Sequence, residues 1–157
     1  MDIIFRKPQF KDLKKIRSVL EQWTDQEEVD KYCQRITNEI NGIIEYNTHF
    51  WVGEWQNEVV GVAGTSDILP KTKEYSQGNN PIDLKILYLD NNIRGHGFGK
   101  DFLDFLENEA IKTSHDEMII RTAKRYKDTA WGFYQKMGYE LVGYIDDGTA
   151  VFRKSIS

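Results

Sequence analysis

The hydrophobic positions of the N-terminal third follow the period of helices. From Asp12 onward, apolar residues recur every three or four positions in two successive stripes, the first at Leu13, Ile16, Leu20 and Trp23 and the second at Val29, Cys33, Ile36, Ile40 and Ile43. This spacing predicts two amphipathic helices. Thr24 followed by Glu27 matches a capping box, which predicts the start of the second helix. A short strand, residues 2–6, is predicted before them.

After Asn47 the hydrophobic period shortens to that of strands. Residues 49–55 and 58–65 predict a β-hairpin around the turn Gln56-Asn57. The following break, residues 66–82, predicts a long loop of the kind that often forms a lid or a binding loop. A tolerated surface insertion is an equally good interpretation of that break.

The second half alternates strand and helix patterns. Strands are predicted at 83–89 and 117–122, helices at 98–112 and 129–137, and a closing hairpin at 139–145 and 149–154. Gly138 is a natural C-terminal cap for the last helix. The order of the elements predicts an α/β protein with a mixed sheet.

Composition and charge narrow the class of protein. The chain has 157 residues, of which 39% are hydrophobic, so we expect one domain over residues 1–157. Its net charge of −4 argues against a general nucleic-acid binder. No apolar run approaches the roughly 20 residues of a membrane span, and the first residues lack the apolar segment of a secretory signal. With the single cysteine, Cys33, these features predict a cytoplasmic protein without a membrane partner.

The segment Arg94-Gly95-His96-Gly97-Phe98-Gly99-Lys100 stands between a predicted strand and a predicted helix. Alternating glycines allow the backbone to approach a ligand closely. The start of the helix adds N–H groups and the positive end of the helix dipole. Arg94 and Lys100 add full positive charges, so the segment predicts an anion cradle suited to phosphate. A glycine-rich turn without a ligand is the alternative.

Better-known motifs do not account for this segment. The dinucleotide fingerprint requires glycine where Lys100 stands, and the P-loop requires glycine where Arg94 stands and Ser or Thr where Asp101 stands. The chain has no G-x-S-x-G elbow for a serine nucleophile. Metal-ligand spacing is absent from its three histidines, His49, His96 and His115, so we expect no metal.

The sequence resembles the GNAT superfamily of acetyl-coenzyme A-dependent N-acetyltransferases. The family signature [RQ]-x-x-G-x-[GA] is matched by Arg94, Gly97 and Gly99. Upstream, residues 87–90 (LYLD) are similar to the end-of-strand segment of the family, and downstream, residues 130–139 (AWGFYQKMGY) are similar to its A-x-x-F-Y-x-K-x-G-F segment. The resemblance implies a mostly antiparallel sheet of about seven strands with about four helices, and central strands that splay at the cofactor cleft.

The resemblance also implies acetyl-coenzyme A as co-substrate, bound between the fourth and fifth strands. Backbone groups of Leu87 and Leu89, with Tyr88 between them, would meet the pantetheine arm and the thioester. Lys127 stands where the family usually has asparagine and could reach a phosphate, and Asn91 replaces a common proline. The pyrophosphate would lie on the glycine segment, formed by Arg94, Gly95, His96, Gly97, Phe98, Gly99 and Lys100.

The implied reaction is direct attack of a neutral amine on the thioester carbonyl. An alkyl amine with a pKa near ~10.4 must first lose a proton, which a carboxylate can accept directly or through water. Asp83 stands where many family members carry a glutamate, and Glu54 is its rival; Asp83 could also be a solvated strand residue. Tyr134 would stand near the sulfur as the acid, or would simply pack beside Phe133.

These expectations combine into one predicted function and two alternatives. The prediction is an enzyme that transfers acetyl from acetyl-coenzyme A to a primary amine of a small molecule within a ternary complex. A protein N-terminal or lysine acetyltransferase would need an open substrate groove. A non-catalytic coenzyme A-binding module is the other alternative. The sequence does not identify the acceptor amine, and it leaves the oligomeric state open, a homodimer included.

Overall fold

The computed structural model describes residues 2–93 and 95–157. In this part of the chain seven strands form one sheet in the order β1-β2-β3-β4-β5-β7-β6. The strands are β1 Ile4–Arg6, β2 His49–Trp55, β3 Glu58–Ser66, β4 Pro81–Leu89, β5 Glu117–Thr122, β6 Glu140–Ile145 and β7 Thr149–Ser155. The α-helices are α1 Leu13–Glu21, α2 Gln26–Ile40, α3 Phe98–Lys112 and α4 Ala130–Lys136. Short 3-10 segments cover Phe10–Asp12, Pro70–Tyr75 and Lys124–Tyr126.

The sheet is mostly antiparallel, as predicted. The pairs β1–β2, β2–β3, β5–β7 and β6–β7 are antiparallel. Strands β4 and β5 are parallel, with Pro81 opposite Glu117 and Leu84 opposite Ile120. The mixed α/β class, the seven strands and the four helices are therefore confirmed, whereas the splay of the central strands stays a prediction.

Helix α2 begins at a different cap from the predicted one. Asp25 is the N-cap, and its carboxylate accepts a hydrogen bond from the Glu28 backbone N–H at 2.9 Å. A carboxylate at this position also interacts favourably with the positive end of the helix dipole. The predicted capping box, which begins one residue earlier at Thr24, is wrong.

The same helix ends in a glycine motif before its predicted last apolar residue. Gly42 has a φ of 81°, and the Ile43 N–H donates to the Asn38 carbonyl at 2.8 Å. This is a Schellman motif, which needs a left-handed residue after the cap. Ile43, predicted to lie on the buried stripe, therefore falls beyond the helix and is 52% exposed.

The predicted long loop after β3 is shorter and more ordered than its composition suggests. It contains the 3-10 segment Pro70–Tyr75, and β4 already begins at Pro81. The Tyr75 hydroxyl donates to the Tyr144 carbonyl at 3.0 Å, and the amides of residues 79 and 80 donate to the Asp116 carboxylate. These long-range bonds, which periodicity cannot reveal, hold the segment.

The chain divides into two compact units. The first comprises Met1–Thr65 and Ile86–Phe105, and its core lies among α1, α2, β2 and β3. The second comprises Ser66–Lys85 and Leu106–Ser157. A core cluster of the second unit contains Ile119, Ile145 and Val151. The single domain over residues 1–157 stays a prediction.

Among the described helices, none has the length and apolar character that crossing a membrane requires.

Candidate active site

The glycine segment has the backbone geometry of an anion cradle. Gly95 and Gly97 have φ angles of 80° and 72°, which L-residues other than glycine rarely adopt. A Cβ atom built on either glycine would have no heavy atom within 4 Å. The first i→i−4 bond of α3 runs from the Asp101 N–H to the Gly97 carbonyl at 3.2 Å. The amides of Phe98 and Gly99 therefore belong to the helix start, where backbone donors have no partner within the helix.

The glycine segment has two residues with full positive charges, Arg94 and Lys100. Arg94 lies outside the described residues. The Lys100 ammonium is 2.7 Å from the Asp104 carboxylate, and both side chains are exposed. An exposed pair of this kind contributes little to stability, so the lysine can exchange it for a phosphate at small cost.

An aromatic cluster supports the segment from β2. The ring of His96 lies 5.1 Å from the ring of Phe98, nearly parallel to it, and 4.7 Å from the ring of Trp55. Trp55 also contacts Phe98 at 5.4 Å. His96 itself is exposed, and Phe98 is buried. The sequence did not indicate that Trp55 contacts His96 and Phe98, because these residues lie about forty positions apart in the chain.

The end of β4 is held by a tryptophan of the first unit. Leu87, Tyr88 and Leu89 are half-buried. The indole N–H of Trp23, just after α1, donates to the Leu89 carbonyl at 2.8 Å. The Trp23 and Tyr88 rings lie nearly parallel, 6.1 Å apart. One of the backbone groups expected to meet the cofactor thus already accepts a hydrogen bond from the protein.

Asp90 organises the turn between β4 and the glycine segment. Its Oδ1 accepts from the Asn92 N–H at 2.9 Å and from the Gln22 side-chain amide at 3.3 Å, and its Oδ2 lies 3.1 Å from the Lys15 ammonium. Burial raises the pKa of the Asp90 carboxyl, but these hydrogen bonds and the Lys15 charge outweigh it and lower the pKa below its ordinary value. The turn is therefore fixed by an ionised carboxylate.

Strand β3 approaches the same turn from its other side. The β2–β3 register shifts by one residue between Gly53 and Glu54, which leaves Val60 as the extra residue of a bulge. The Val60 carbonyl accepts from the Asp90 N–H at 2.8 Å. At the neighbouring Gly61, a Cβ atom would come within 2.7 Å of the Leu89 side chain and 3.2 Å of the Tyr88 carbonyl oxygen, so a larger residue would have to displace Leu89.

Asp83, the predicted base, is fully buried in the second unit. Its two carboxylate oxygens accept from Arg121, at 3.2 Å from Nε and 2.9 Å from Nη2. The alternative of a solvated strand residue is wrong, because Asp83 has no exposed surface. The role of Asp83 as base stays a prediction. The carboxylate that would accept the proton is bound by the Arg121 guanidinium through two hydrogen bonds.

Glu54, the rival base, is also held by an arginine, but in the first unit. Its Oε1 accepts from Arg6 at 3.0 Å from Nη2 and 3.2 Å from Nε. Arg6 donates in addition to both oxygens of Asp12, whose pKa is held below its ordinary value chiefly by those hydrogen bonds. Glu54 is thus one end of a three-residue ion network.

Tyr134 combines a buried ring with an available hydroxyl. The ring centroid lies 6.2 Å from that of Phe152 and 6.1 Å from that of Tyr139. Among the described residues the hydroxyl has no hydrogen-bond partner, and the whole residue is only 7% exposed. The Tyr139 N–H donates to the Tyr134 carbonyl at 3.0 Å in a glycine-capped helix end at Gly138, as predicted.

Burial raises the pKa of Tyr134, so this hydroxyl stays protonated at neutral pH. Above pH ~10, a tyrosine of the unfolded chain ionises whereas Tyr134 of the folded chain does not, so unfolding becomes more favourable as pH rises. We expect the free energy of unfolding to fall between pH 9 and 11 by about 1 kcal/mol more in the wild type than in Tyr134→Phe. Urea titrations at the two pH values measure this difference, and equal losses would contradict it.

The predicted site residues divide between the two units. Residues 87–89 and the described part of the glycine segment belong to the first unit, and the structure brings them together around the Asp90 turn. Asp83, Tyr134 and Lys127 belong to the second unit. Lys127 follows the 3-10 segment Lys124–Tyr126 and has an exposed side chain.

A strand that ends in a glycine turn and is followed by the start of a helix is an arrangement that favours an anion. The family comparison agrees: residues 46–141 match the model of the acetyltransferase (GNAT) domain. The chain belongs to the GNAT acetyltransferase family. No curated protein shows significant sequence similarity to it.

Solved structures of GNAT proteins share the fold over the whole chain. A GNAT-family protein from Desulfovibrio desulfuricans has a TM-score of 0.83 at 16% identity, with 99% of this chain and 100% of that chain covered. PaiA N-acetyltransferase from Thermoplasma acidophilum, solved with coenzyme A, has a TM-score of 0.72 at 18% identity over 99% of both chains. YncA from Salmonella typhimurium, solved with acetyl-coenzyme A, has a TM-score of 0.73 at 14% identity, covering 100% of this chain and 95% of its own.

Proposed function

We propose that this protein transfers the acetyl group of acetyl-coenzyme A to a primary amine of a small molecule, by direct attack in a ternary complex. The observation that carries the proposal is the cradle at Gly95 and Gly97, with positive φ angles and open space at the start of α3. Two of the similar structures were solved with coenzyme A or acetyl-coenzyme A. We propose the cytoplasm as its location, no nucleic-acid or membrane partner, no metal, and a homodimer as one assembly to test.

In this proposal the first unit holds the cofactor. The amides of the glycine segment bind the pyrophosphate, because donors at a helix start and the positive end of the dipole favour an anion. Arg94 and Lys100 add charge, His96 flanks the phosphates, and Lys127 of the second unit is a further phosphate contact. Backbone groups of residues 87–89 meet the pantetheine arm. Bound acetyl-coenzyme A supplies the activated acetyl group.

Tyr134 is the proposed acid toward the departing sulfur. A thiol has a pKa near ~8.5, below that of tyrosine, so full proton transfer is uphill unless the site adjusts it. A hydrogen bond from the hydroxyl already stabilises the developing thiolate. Because burial raises the pKa of Tyr134, full proton transfer is more uphill still, so the proposed role is chiefly that of a hydrogen-bond donor; the hydroxyl makes no competing bond to the described residues.

Asp83 is the proposed base, acting through water. Because its carboxylate is paired with Arg121, variants of both residues are needed to test this role. Loss of Asp83 alone would leave the Arg121 guanidinium without its carboxylate, which destabilises a protein by roughly 3–5 kcal/mol when the pair is buried. The comparison is therefore made between Arg121→Lys, which keeps a cation beside the buried carboxylate, and Asp83→Asn/Arg121→Gln, which removes both charges.

We expect kcat of the double variant to be about tenfold below that of Arg121→Lys near neutral pH, because relay through water makes Asp83 a modest base. The difference should shrink at high pH, where the amine loses its proton unaided. A pH–rate profile of each variant measures it. Profiles of the same shape would remove Asp83 from the mechanism and make Glu54 the next candidate.

Turnover of acetyl-coenzyme A with a panel of amines tests the function as a whole. Release of free thiol is followed with polyamines, aminoglycosides, amino acids and peptides, and product mass identifies the acetylated nitrogen. Turnover with a small amine supports the proposal. Turnover restricted to peptides or proteins would favour a protein acetyltransferase, and binding without any turnover would favour the non-catalytic module.

A further inference from the structure

Two residues just after α1 contact the backbone at the end of β4, although neither belongs to the sequence motifs. The Trp23 indole N–H donates to the Leu89 carbonyl at 2.8 Å. The Gln22 side-chain oxygen accepts from the Asn91 N–H at 2.7 Å, and its amide donates to the Asp90 carboxylate at 3.3 Å. Two adjacent side chains thus hold three consecutive residues.

Gln22 and Trp23 are themselves fixed to the body of the first unit. Their backbone amides donate to the Val19 and Leu20 carbonyls at 3.1 and 3.0 Å, which continues the turn of α1. Trp23 is partly buried and packs against the apolar core among α1, α2, β2 and β3. The backbone of both residues is therefore held by α1, and the Trp23 side chain is anchored by the core.

The held segment leads directly into the glycine cradle. Its other side is bound by β3, through the bond from the Asp90 N–H to the Val60 carbonyl. Leu89 and Asn91 stand on either side of Asp90; the Leu89 carbonyl accepts from Trp23, and the Asn91 N–H donates to Gln22. Removal of either side chain takes away one of these bonds and leaves the bond between Asp90 and Val60.

We propose that Gln22 and Trp23 are positioning residues of the cofactor site. They fix the end of β4 and the start of the glycine segment in the conformation that binds coenzyme A, and they act through the backbone rather than by touching the cofactor. Their identity therefore sets cofactor affinity, with little effect on the chemical step. This inference rests on the proposed function.

Trp23→Phe and Gln22→Leu test the proposal, since each removes the side-chain hydrogen bonds and leaves a side chain that still fills part of the space. Trp51→Phe is the matched control, because Trp51 is also half-buried and aromatic but contacts Phe105 instead of the turn. Calorimetry measures the Kd of coenzyme A for each variant and the wild type. Hydrogen exchange without ligand measures the amides of residues 91 and 92, and thermal unfolding gives Tm.

We expect the Kd of coenzyme A to rise about tenfold in Trp23→Phe and in Gln22→Leu, and to stay within twofold in Trp51→Phe. Exchange at Asn91 should accelerate in Gln22→Leu while α3 amides remain unchanged, and kcat at saturating cofactor should stay within threefold. Unchanged Kd values would overturn the proposal, as would a Kd change that merely tracks Tm across all three variants. If the wild type itself failed to bind coenzyme A, the proposed function would fall first.

Discussion

Gly97→Glu should abolish measurable coenzyme A binding in a protein that still folds. The added side chain would point into space in which a Cβ meets no heavy atom of the described residues within 4 Å, its chain neighbours aside. Its carboxylate would oppose the pyrophosphate at the helix start, where the amides and the dipole favour an anion, so we expect affinity at least about 100-fold weaker. Calorimetric titration of coenzyme A measures the loss.

Gly42→Glu separates this effect from backbone strain. Gly42 has a φ of 81° against 72° for Gly97, and a Cβ there also meets open space. A side chain at either position therefore costs a similar strain, about 1–2 kcal/mol for a left-handed L-residue. We expect Gly42→Glu to lose stability but to keep wild-type affinity. Binding by Gly97→Glu within threefold of wild type would remove the cradle from the proposed site.

Tyr134→Phe should lower kcat by about 10–10³-fold with little change in cofactor affinity. The substitution keeps the ring that packs against Phe152 and Tyr139 and removes only the hydroxyl. Because that hydroxyl has no hydrogen-bond partner among the described residues, no hydrogen bond within that part of the chain is lost. Single-turnover rates with saturating amine isolate the chemical step.

Tyr46→Phe is the control for Tyr134→Phe, since Tyr46 is 77% exposed and lies in the turn after α2. It should react at the wild-type rate. If Tyr134→Phe did the same while chemistry limits turnover, Tyr134 would be a packing residue only, and another group would have to stabilise the thiolate.

The sequence predicts those elements whose signals are local. Helix α3 and strand β5 have the predicted bounds, Phe98–Lys112 and Glu117–Thr122, because a glycine segment starts the helix and a dense apolar run makes the strand. The cap of α2 was misplaced by one residue because Thr24 and Asp25 are both good capping residues, and only backbone conformation distinguishes them.

The part of the site that needs glycine for its backbone conformation can be predicted from the sequence. Gly95 and Gly97 are needed for their positive φ angles, so the cradle is visible as a motif. The residues that hold the site in place cannot be predicted in this way, because they are determined by tertiary contacts between residues distant in the chain. Arg121 donates to Asp83 across 38 positions of the chain, and Trp23 donates to Leu89 across 66. Ordinary helix and strand patterns contain the same residue types, so these patterns do not indicate such contacts.

The bond between Gln22 and the Asn91 amide gives a physical meaning to one departure from the family pattern. Proline, common in the family at this position, has no N–H and could not donate to the Gln22 oxygen. Proline would restrict the turn by its ring, whereas in this chain the turn is restricted by the hydrogen bond that the Asn91 N–H donates to Gln22, just after α1. The proline ring and the hydrogen bond are alternative ways to restrict the turn. We therefore expect relatives with proline at position 91 to lack glutamine at position 22.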